Sequence, residues 1–318
     1  MSIISKDIQK AVALLTNEQL VAIPTETVYG LAGNIFSEKA IKSIFSTKKR
    51  PFFNPLIVHI PSVDSLEAIA THIPEKAKLL AAAFWPGPMT LVLKKSKNIP
   101  DIITAGKDTV AVRVPDHPVT LELLRQLPFP LAAPSANPFG SISPTEPAHV
   151  ERYFKNDIQM VLDGGACSNG IESTIIGFEN EEPIIYRLGA LALEDIEAVV
   201  GRMNIKNKEE ISPDAPGMLA RHYAPKTRTF LVDDVASEVK KHLGKKIGVL
   251  VFKNSLENSS LTEIVLSKNG SIQEAASRLY AAMHTLDSKN LDIIIAEKFP
   301  EFGLGNSIND RLQRATFT

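Results

Sequence analysis

Short apolar runs, each closed by a proline, a glycine or a polar cluster, alternate with helix-spaced stretches from Leu20 to Arg187. That alternation narrows the chain to an α/β sheet covered by helices. The strand-like runs are 20–23, closed by Pro24, then 56–60, 90–93, 110–114, 131–133, 159–162, 173–176 and 184–187. Helical spacing marks 5–17, with Ile8, Val12 and Leu15 on one face and Ser5 as N-cap, and also 37–45, 74–84 and 118–127. Some neighbouring strands are expected to be antiparallel, and the strand order is not readable from the pattern.

The pattern fails at 205–216, where Lys206, Lys208, Glu209 and Glu210 lead into Pro213 and Pro216, the composition of a linker. Beyond it a second α/β pattern begins, with strand-like runs at 247–252 and 291–296 around a helical stretch at 272–286 that can form one βαβ unit. Residues 1–204, 205–229 and 230–318 therefore read as a first domain, a linker and a smaller second domain, as 318 residues exceed one small core. No apolar run reaches the roughly 20 residues of a membrane helix, and the start lacks a signal-peptide layout. With Cys167 as the single cysteine, these features point to a cytoplasmic protein that meets no membrane. A net charge of −1 argues against wholesale capture of nucleic acid, so any contact with tRNA is expected to be weak or indirect.

Four segments place polar side chains where buried strands end, the position at which open α/β sheets gather ligands. The first, PTETVYGLAGN at 24–34, carries Thr25, Glu26 and Thr27. They suit a small polar substrate and suit equally a turn that caps its own backbone. The second, KKRPFFNPLIVHI at 48–60, sets Lys48 and Arg50 before a proline-bounded loop, with Asn54 inside it and His59 near the next strand end. Two cations there fit a polyphosphate, lysine as a point charge and arginine as a two-pronged fork. A solvated basic turn is the competing reading, and for His59 a half-buried strand histidine. The chain has neither GxxxxGK[ST] nor GxGxxG.

The third segment, PLAAPSANPFGSISPT at 130–145, lines up Ser135, Asn137, Ser141, Ser143 and Thr145 as a nest for phosphate or adenine, or as a plain Ser/Pro/Gly loop. No histidine or lysine stands beside its serines, so a serine nucleophile is poorly supported. The fourth is dispersed: Arg113 in TVAVRVPDHP, Ser173 in ESTII and Arg187 in YRLGA. An arginine in an apolar strand needs a carboxylate, a phosphate or a cleft, and a structural salt bridge answers as well as a ligand. The seven histidines show no metal-ligand spacing, Cys167 has no thiolate-lowering neighbour, and Trp85 reads as packing.

Taken in order, PTETVYGL, K-x-R with NPLIVHI, FWPGPMTLVL, VAVRVPDHP, APSAN with SPT, and ESTII resemble the YrdC-type threonylcarbamoyl-AMP synthase family. APGMLARHYAP and GLGNSINDRLQRA extend the resemblance to the family's long form, with an interdomain linker and an extra C-terminal domain. The resemblance implies a YrdC-like twisted open mixed sheet with helices, followed by a smaller Rossmann-like α/β domain. It implies an enzyme that joins L-threonine, bicarbonate or CO2, and ATP into threonylcarbamoyl-AMP with release of pyrophosphate. A separate transferase then uses the product to modify the adenosine beside the tRNA anticodon.

Carried over by motif position, Thr27, His59, Arg113, Ala133 and Ser173 would line the threonine site. Lys48, Arg50, Asn54, Thr109, Ser135, Asn137, Ser143 and Arg187 would surround ATP, with Lys48 and Arg50 as the catalytic cations. His222 and Tyr223, in a linker folded over the cleft, would cover the nucleotide. Mg²⁺ is expected with ATP rather than in a protein cage. The chain departs from the family at Gly177, usually acidic, at Leu188, often proline, and at Leu219–Ala220, usually a basic–aromatic pair. The competing readings are a double-stranded RNA or tRNA-binding maturation module and a carbamoyl-transfer enzyme. The first is opposed by the near-neutral charge, and the second by the lack of zinc-finger cysteines.

Overall fold

The computed structural model describes residues 2–206 and 223–316. Strand-forming runs up to Ile205 join one mixed sheet. Its spatial order is Ile4–Ser5, Val161–Leu162, Val21–Ile23, Gly30–Asn34, Leu131–Ala132, Ile57–His59, Thr109–Arg113, Met89–Lys95, Thr174–Glu179, Glu182–Arg187 and Asn204–Ile205. Ala70–His72 pairs with Met89–Lys95 off this path. Parallel and antiparallel pairs are mixed, as expected, and the strand runs named from the sequence all contain strands. Gly30–Asn34, taken from the sequence as part of a turn, is instead a strand paired with Val21–Ile23.

Helices cover the sheet unevenly, and that places the cleft. One face packs its whole width against helices that include Glu38–Lys48, Glu75–Phe84, Pro147–Phe154 and Leu193–Val200. Among the described residues, helices cover the other face only at one end, where Ile8–Thr16 and Pro118–Gln126 bury Val21, Ile23, Leu131 and Leu162. Strands here are buried on both sides, hence their continuous apolar runs. Farther along that face, Ile57, Val92, Ala111, Ile175 and Tyr186 form a small apolar floor to which no helix among the described residues contributes. The first helix begins later than expected. Asp7, not Ser5, is its cap, accepting from Lys10 N at 2.9 Å, while Ser5 pairs with Leu162 in the sheet.

The second sheet is all-parallel, in the order Thr229–Val232, Ile293–Glu297, Ile247–Val251, Thr262–Val265. The expected βαβ unit is present with an extra strand, Thr262–Val265, between Ile247–Val251 and the helix Ile272–Asp287. This is the smaller Rossmann-like domain. Its helices Ile272–Asp287 and Leu304–Thr316 share one apolar cluster with Val28, Ile142, Ile171 and Ala190 of the first domain. Most of the expected linker, with His222, lies outside the described residues. No helix among the described residues is long and apolar enough to cross a membrane.

Candidate active-site cleft

In-register pairing sets the cleft's polar wall. His59 pairs with Arg113 and Ile57 with Ala111 across two parallel strands, so alternation sends His59, Arg113 and Ile57 to the helix-free face. A cleft there is lined by Thr25, Thr27, Val28, Gly30, Arg50, Ile57, His59, Arg113, Ala133, Pro134, Ser135, Glu172, Ser173, Arg187 and Tyr223. It lies on the sheet's face as well as at the strand ends.

Arg113 is buried, and three groups orient it. Nη2 meets Glu26 Oε1 at 2.5 Å, Nη1 donates to Thr27 Oγ1 at 2.9 Å, and Nε donates to Gly87 O at 3.2 Å. These contacts use three of a guanidinium's five N–H groups and leave one on each terminal nitrogen, the spacing a carboxylate accepts. The two threonines of the first segment meet different partners. Thr25 Oγ1 accepts from Thr27 N and Val28 N and donates to Val28 O, capping its own turn, while Thr27 faces Arg113. His59 is buried beside Arg113, and burial followed by that cation pushes its pKa down to about 3. It is neutral at pH 7.

The basic segment splits by position. The helix Glu38–Lys48 ends at Lys49, which takes the left-handed conformation at φ 53° and is exposed. Lys48 and Arg50 turn inward on either side of it. Lys48 does not line the cleft. Its ammonium donates to the carbonyls of Ser135 and Asn137, tying down the serine loop from behind. Burial, and then Arg50, lower its pKa strongly. Arg50 lines the cleft, and its side chain donates only to backbone carbonyls, those of Asn54 at 3.3 Å and Pro55 at 2.9 Å. Burial and the approach of Arg187 push its pKa down to about 9.

Across the cleft, Arg187 donates through Nη2 to Ser173 O at 2.8 Å and Ser173 Oγ at 3.1 Å. Ser173 Oγ also lies 2.8 Å from Thr90 Oγ1. The turn carrying Arg187 packs tightly on the Ser173 strand. A Cβ on Gly189 would stand 2.3 Å from Thr174 N, so only glycine permits this approach.

Thr27, Arg50, His59, Arg113, Ala133, Ser135, Ser173, Arg187 and Tyr223, all named from the sequence, thus converge on one cleft. Lys48, Asn54, Thr109, Asn137 and Ser143 do not line it. Thr109 stands at the far end of the strand from Arg113, paired with Lys94. Asn137 staples its loop by donating to Ser141 O at 2.8 Å. Ser143 donates to Glu172 Oε1 at 2.6 Å. Asn54 is fully buried, and neither polar atom of its amide has a partner among the described residues. Cys167 is buried, and burial pushes its thiol pKa up, away from reactivity. Trp85 is packed, with Nε1 donating to Met89 O at 2.7 Å.

Sequence reasoning missed Glu172 and its partners. Both Glu172 and Arg311 stand inside quoted motifs, but nothing local says that residues 139 positions apart meet at 2.9 Å. Glu26 was visible as a polar residue but not as the partner of Arg113. Among the described residues no three His, Cys, Asp or Glu side chains are grouped to hold a metal ion.

Comparison with known proteins places this geometry. The Sua5/YciO/YrdC family, described as telomere recombination, matches residues 13–189, and the family described as threonylcarbamoyl-AMP synthase, C-terminal domain, matches residues 191–316. The chain is 41% identical to a threonylcarbamoyl-AMP synthase of Pyrococcus abyssi (strain GE5 / Orsay), over 97% of this chain and 94% of that protein. It is 39% identical to a threonylcarbamoyl-AMP synthase of Bacillus subtilis (strain 168), over 97% of this chain and 92% of that one. The crystal structure of P. abyssi Sua5 complexed with L-threonine superposes with a TM-score of 0.91 at 40% identity, covering 97% of this chain and 94% of that one.

Proposed function

The chain belongs to the Sua5/YrdC family of threonylcarbamoyl-AMP synthases, and from that premise we propose how its cleft holds the substrates and drives their condensation. The chain is an ATP-using enzyme that makes threonylcarbamoyl-AMP from L-threonine.

One observation carries the division of the cleft. Arg50 and Arg187 both line it, Arg187 lowers the affinity of Arg50 for its proton, and Arg50 has only neutral carbonyl partners among the described residues. Two buried cations so placed are stabilised by an anion between them, and the phosphates of ATP supply one. On the other side the two uncommitted N–H groups of Arg113 take the carboxylate of threonine, with Thr27, neutral His59 and Ser173 around the rest of the amino acid.

The reaction follows from positioning. Threonine's amine adds to CO2 with loss of a proton, or to bicarbonate with loss of water, to form a carbamate, whose oxygen attacks the α-phosphorus of ATP as the bond to pyrophosphate breaks. Among the described residues lining the cleft there is no cysteine or lysine nucleophile, and His59 is held neutral. Rate therefore comes from holding carbamate and phosphorus in line and from arginines that offset charge on the leaving group. Magnesium enters with ATP as part of that substrate. Glu172, the carboxylate lining the cleft, has both oxygens engaged by protein donors and offers no open metal cage. The product is taken by a separate cytoplasmic transferase that modifies the adenosine beside the tRNA anticodon.

The test is formation of the adduct. Purified protein with ATP, magnesium, L-threonine and labelled bicarbonate should yield a labelled product that also contains threonine and adenylate. A labelled product without threonine, or none from folded protein, overturns the reading.

A further inference from the structure

The second domain reaches the cleft through one carboxylate. Glu172 is buried and lines the cleft wall. Its Oε1 accepts from Ser143 Oγ at 2.6 Å. Its Oε2 accepts from Tyr280 Oη at 2.9 Å and from Arg311 Nε at 2.9 Å, both from helices of the second domain. Arg311 is fully buried and donates also to Leu188 O at 2.6 Å and to Asp310 at 2.8 Å, with its guanidinium carbon 5.0 Å from the Tyr223 ring centre. Leu188 is the residue after Arg187, and Tyr223 lines the cleft.

A buried carboxylate beside a phosphate site is a liability, since it repels the ligand and competes for its cations. Arg187 is the nearby cation at risk. It acts on Glu172 through space, yet its side chain donates to Ser173 O and Ser173 Oγ. Burial alone would push the Glu172 carboxyl up, but Arg311, Arg187 and the Ser143 hydroxyl together hold it below its ordinary value, so it is charged at pH 7.

We propose that Arg311 is a positioning residue for nucleotide use. By occupying Glu172 Oε2 it keeps Arg187 on Ser173, at the cleft, instead of letting Glu172 take Arg187 as its counter-ion. The inference rests on the assignment of Arg187 to the nucleotide and gives the second domain a role in the chemistry beyond packing. The carboxylate of threonine is held across the cleft by Arg113, whose partners do not include this network, and Ser173 is the residue shared with it. The effect therefore falls chiefly on ATP.

The test compares R311M with E172Q/R311M in the full-length protein, measuring both KM values and, by calorimetry, the Kd of a non-hydrolysable ATP analogue. R311M should raise KM and Kd for the nucleotide about tenfold or more, with the threonine KM changed less than about twofold. E172Q in that background removes the competing charge and should restore most of the loss, which a merely structural arginine would not predict. Nucleotide affinity unchanged in R311M, both KM values rising alike, or no recovery in the folded double variant overturns the inference. If R311M does not fold, the double variant, in which Glu172 no longer carries a charge stripped of its Arg311 partner, should fold. Its failure to do so also overturns the inference. A wild-type protein without threonine-dependent pyrophosphate release fails the functional reading instead, and the calorimetric comparison still judges Arg311.

Discussion

Glu26 holds Arg113 by a buried ion pair, Oε1 to Nη2 at 2.5 Å, while its second oxygen accepts the backbone N–H of Asp116 at 3.0 Å. The carboxylate is thus anchored at both oxygens, and it aims a guanidinium whose remaining N–H groups meet the cleft. An arginine fixed in this way is pre-organised for a second carboxylate.

Arg113→Ala should raise the threonine KM by ~10- to 100-fold, the range for a charge-assisted hydrogen-bonded contact, with a smaller change for ATP. Arg113→Lys should recover little, since one ammonium cannot serve Glu26, Thr27 and a substrate together. Steady-state kinetics with each substrate varied in turn checks both. Equal effects on the two substrates would misplace the threonine site.

Lys48→Ala should act through the loop it tethers. It strands the buried carbonyl of Asn137, at about 1–3 kcal/mol, and removes one of the two donors to Ser135 O, so the melting temperature should fall along with ATP use. Thermal unfolding beside kinetics separates this from a lysine that touches phosphate, whose loss would reduce turnover with stability intact.

Acid should loosen the contact between the domains. His149 and His284 stack at 3.9 Å between ring centres, one from each domain, and His284 Nε2 donates to Ser143 O at 3.1 Å. Burial pushes His284 down to about 4 and His149, also beside His284, down to about 3. Both are neutral when folded and protonate near pH 6.5 when unfolded. Their contribution is full above pH 6.5 and is lost as pH falls towards 4, on the order of 1 kcal/mol per pH unit for each. His284→Gln should flatten that slope in denaturant unfolding followed from pH 7 to 5. An unchanged slope contradicts the assignment.

Gly177, where the family usually carries an acid, is fixed by Tyr186. A Cβ there would stand 2.2 Å from the Tyr186 ring, so Gly177→Ala should destabilise by about 1–3 kcal/mol through overpacking. Gly177→Ala combined with Tyr186→Leu should recover part of it. Chemical denaturation of the three variants reads the difference.

The sequence shows the fold well where strands are buried on both sides, because continuous apolar runs such as 56–60 carry their own signal. It hides Gly30–Asn34, whose two glycines read as a turn until pairing with Val21–Ile23 supplies the missing stability. Of the site, Arg113 and Arg187 were legible because an arginine in an apolar strand demands an explanation. Lys48 was legible as a cation beside a loop but not as the tether of that loop, since a helix extending three residues past Phe45 turns it inward, and no local pattern reveals that. Glu172 and Arg311 were illegible for a different reason. Their meaning exists only once two domains, far apart in sequence, are packed together.

The central claim is that one cleft couples threonine and bicarbonate to adenylate transfer from ATP. Pyrophosphate release by the purified full-length protein with magnesium, omitting threonine or bicarbonate in turn, tests it most directly. Release that requires both, and that falls sharply with Arg113→Ala, is the predicted result. Release that proceeds without threonine or without bicarbonate would contradict it.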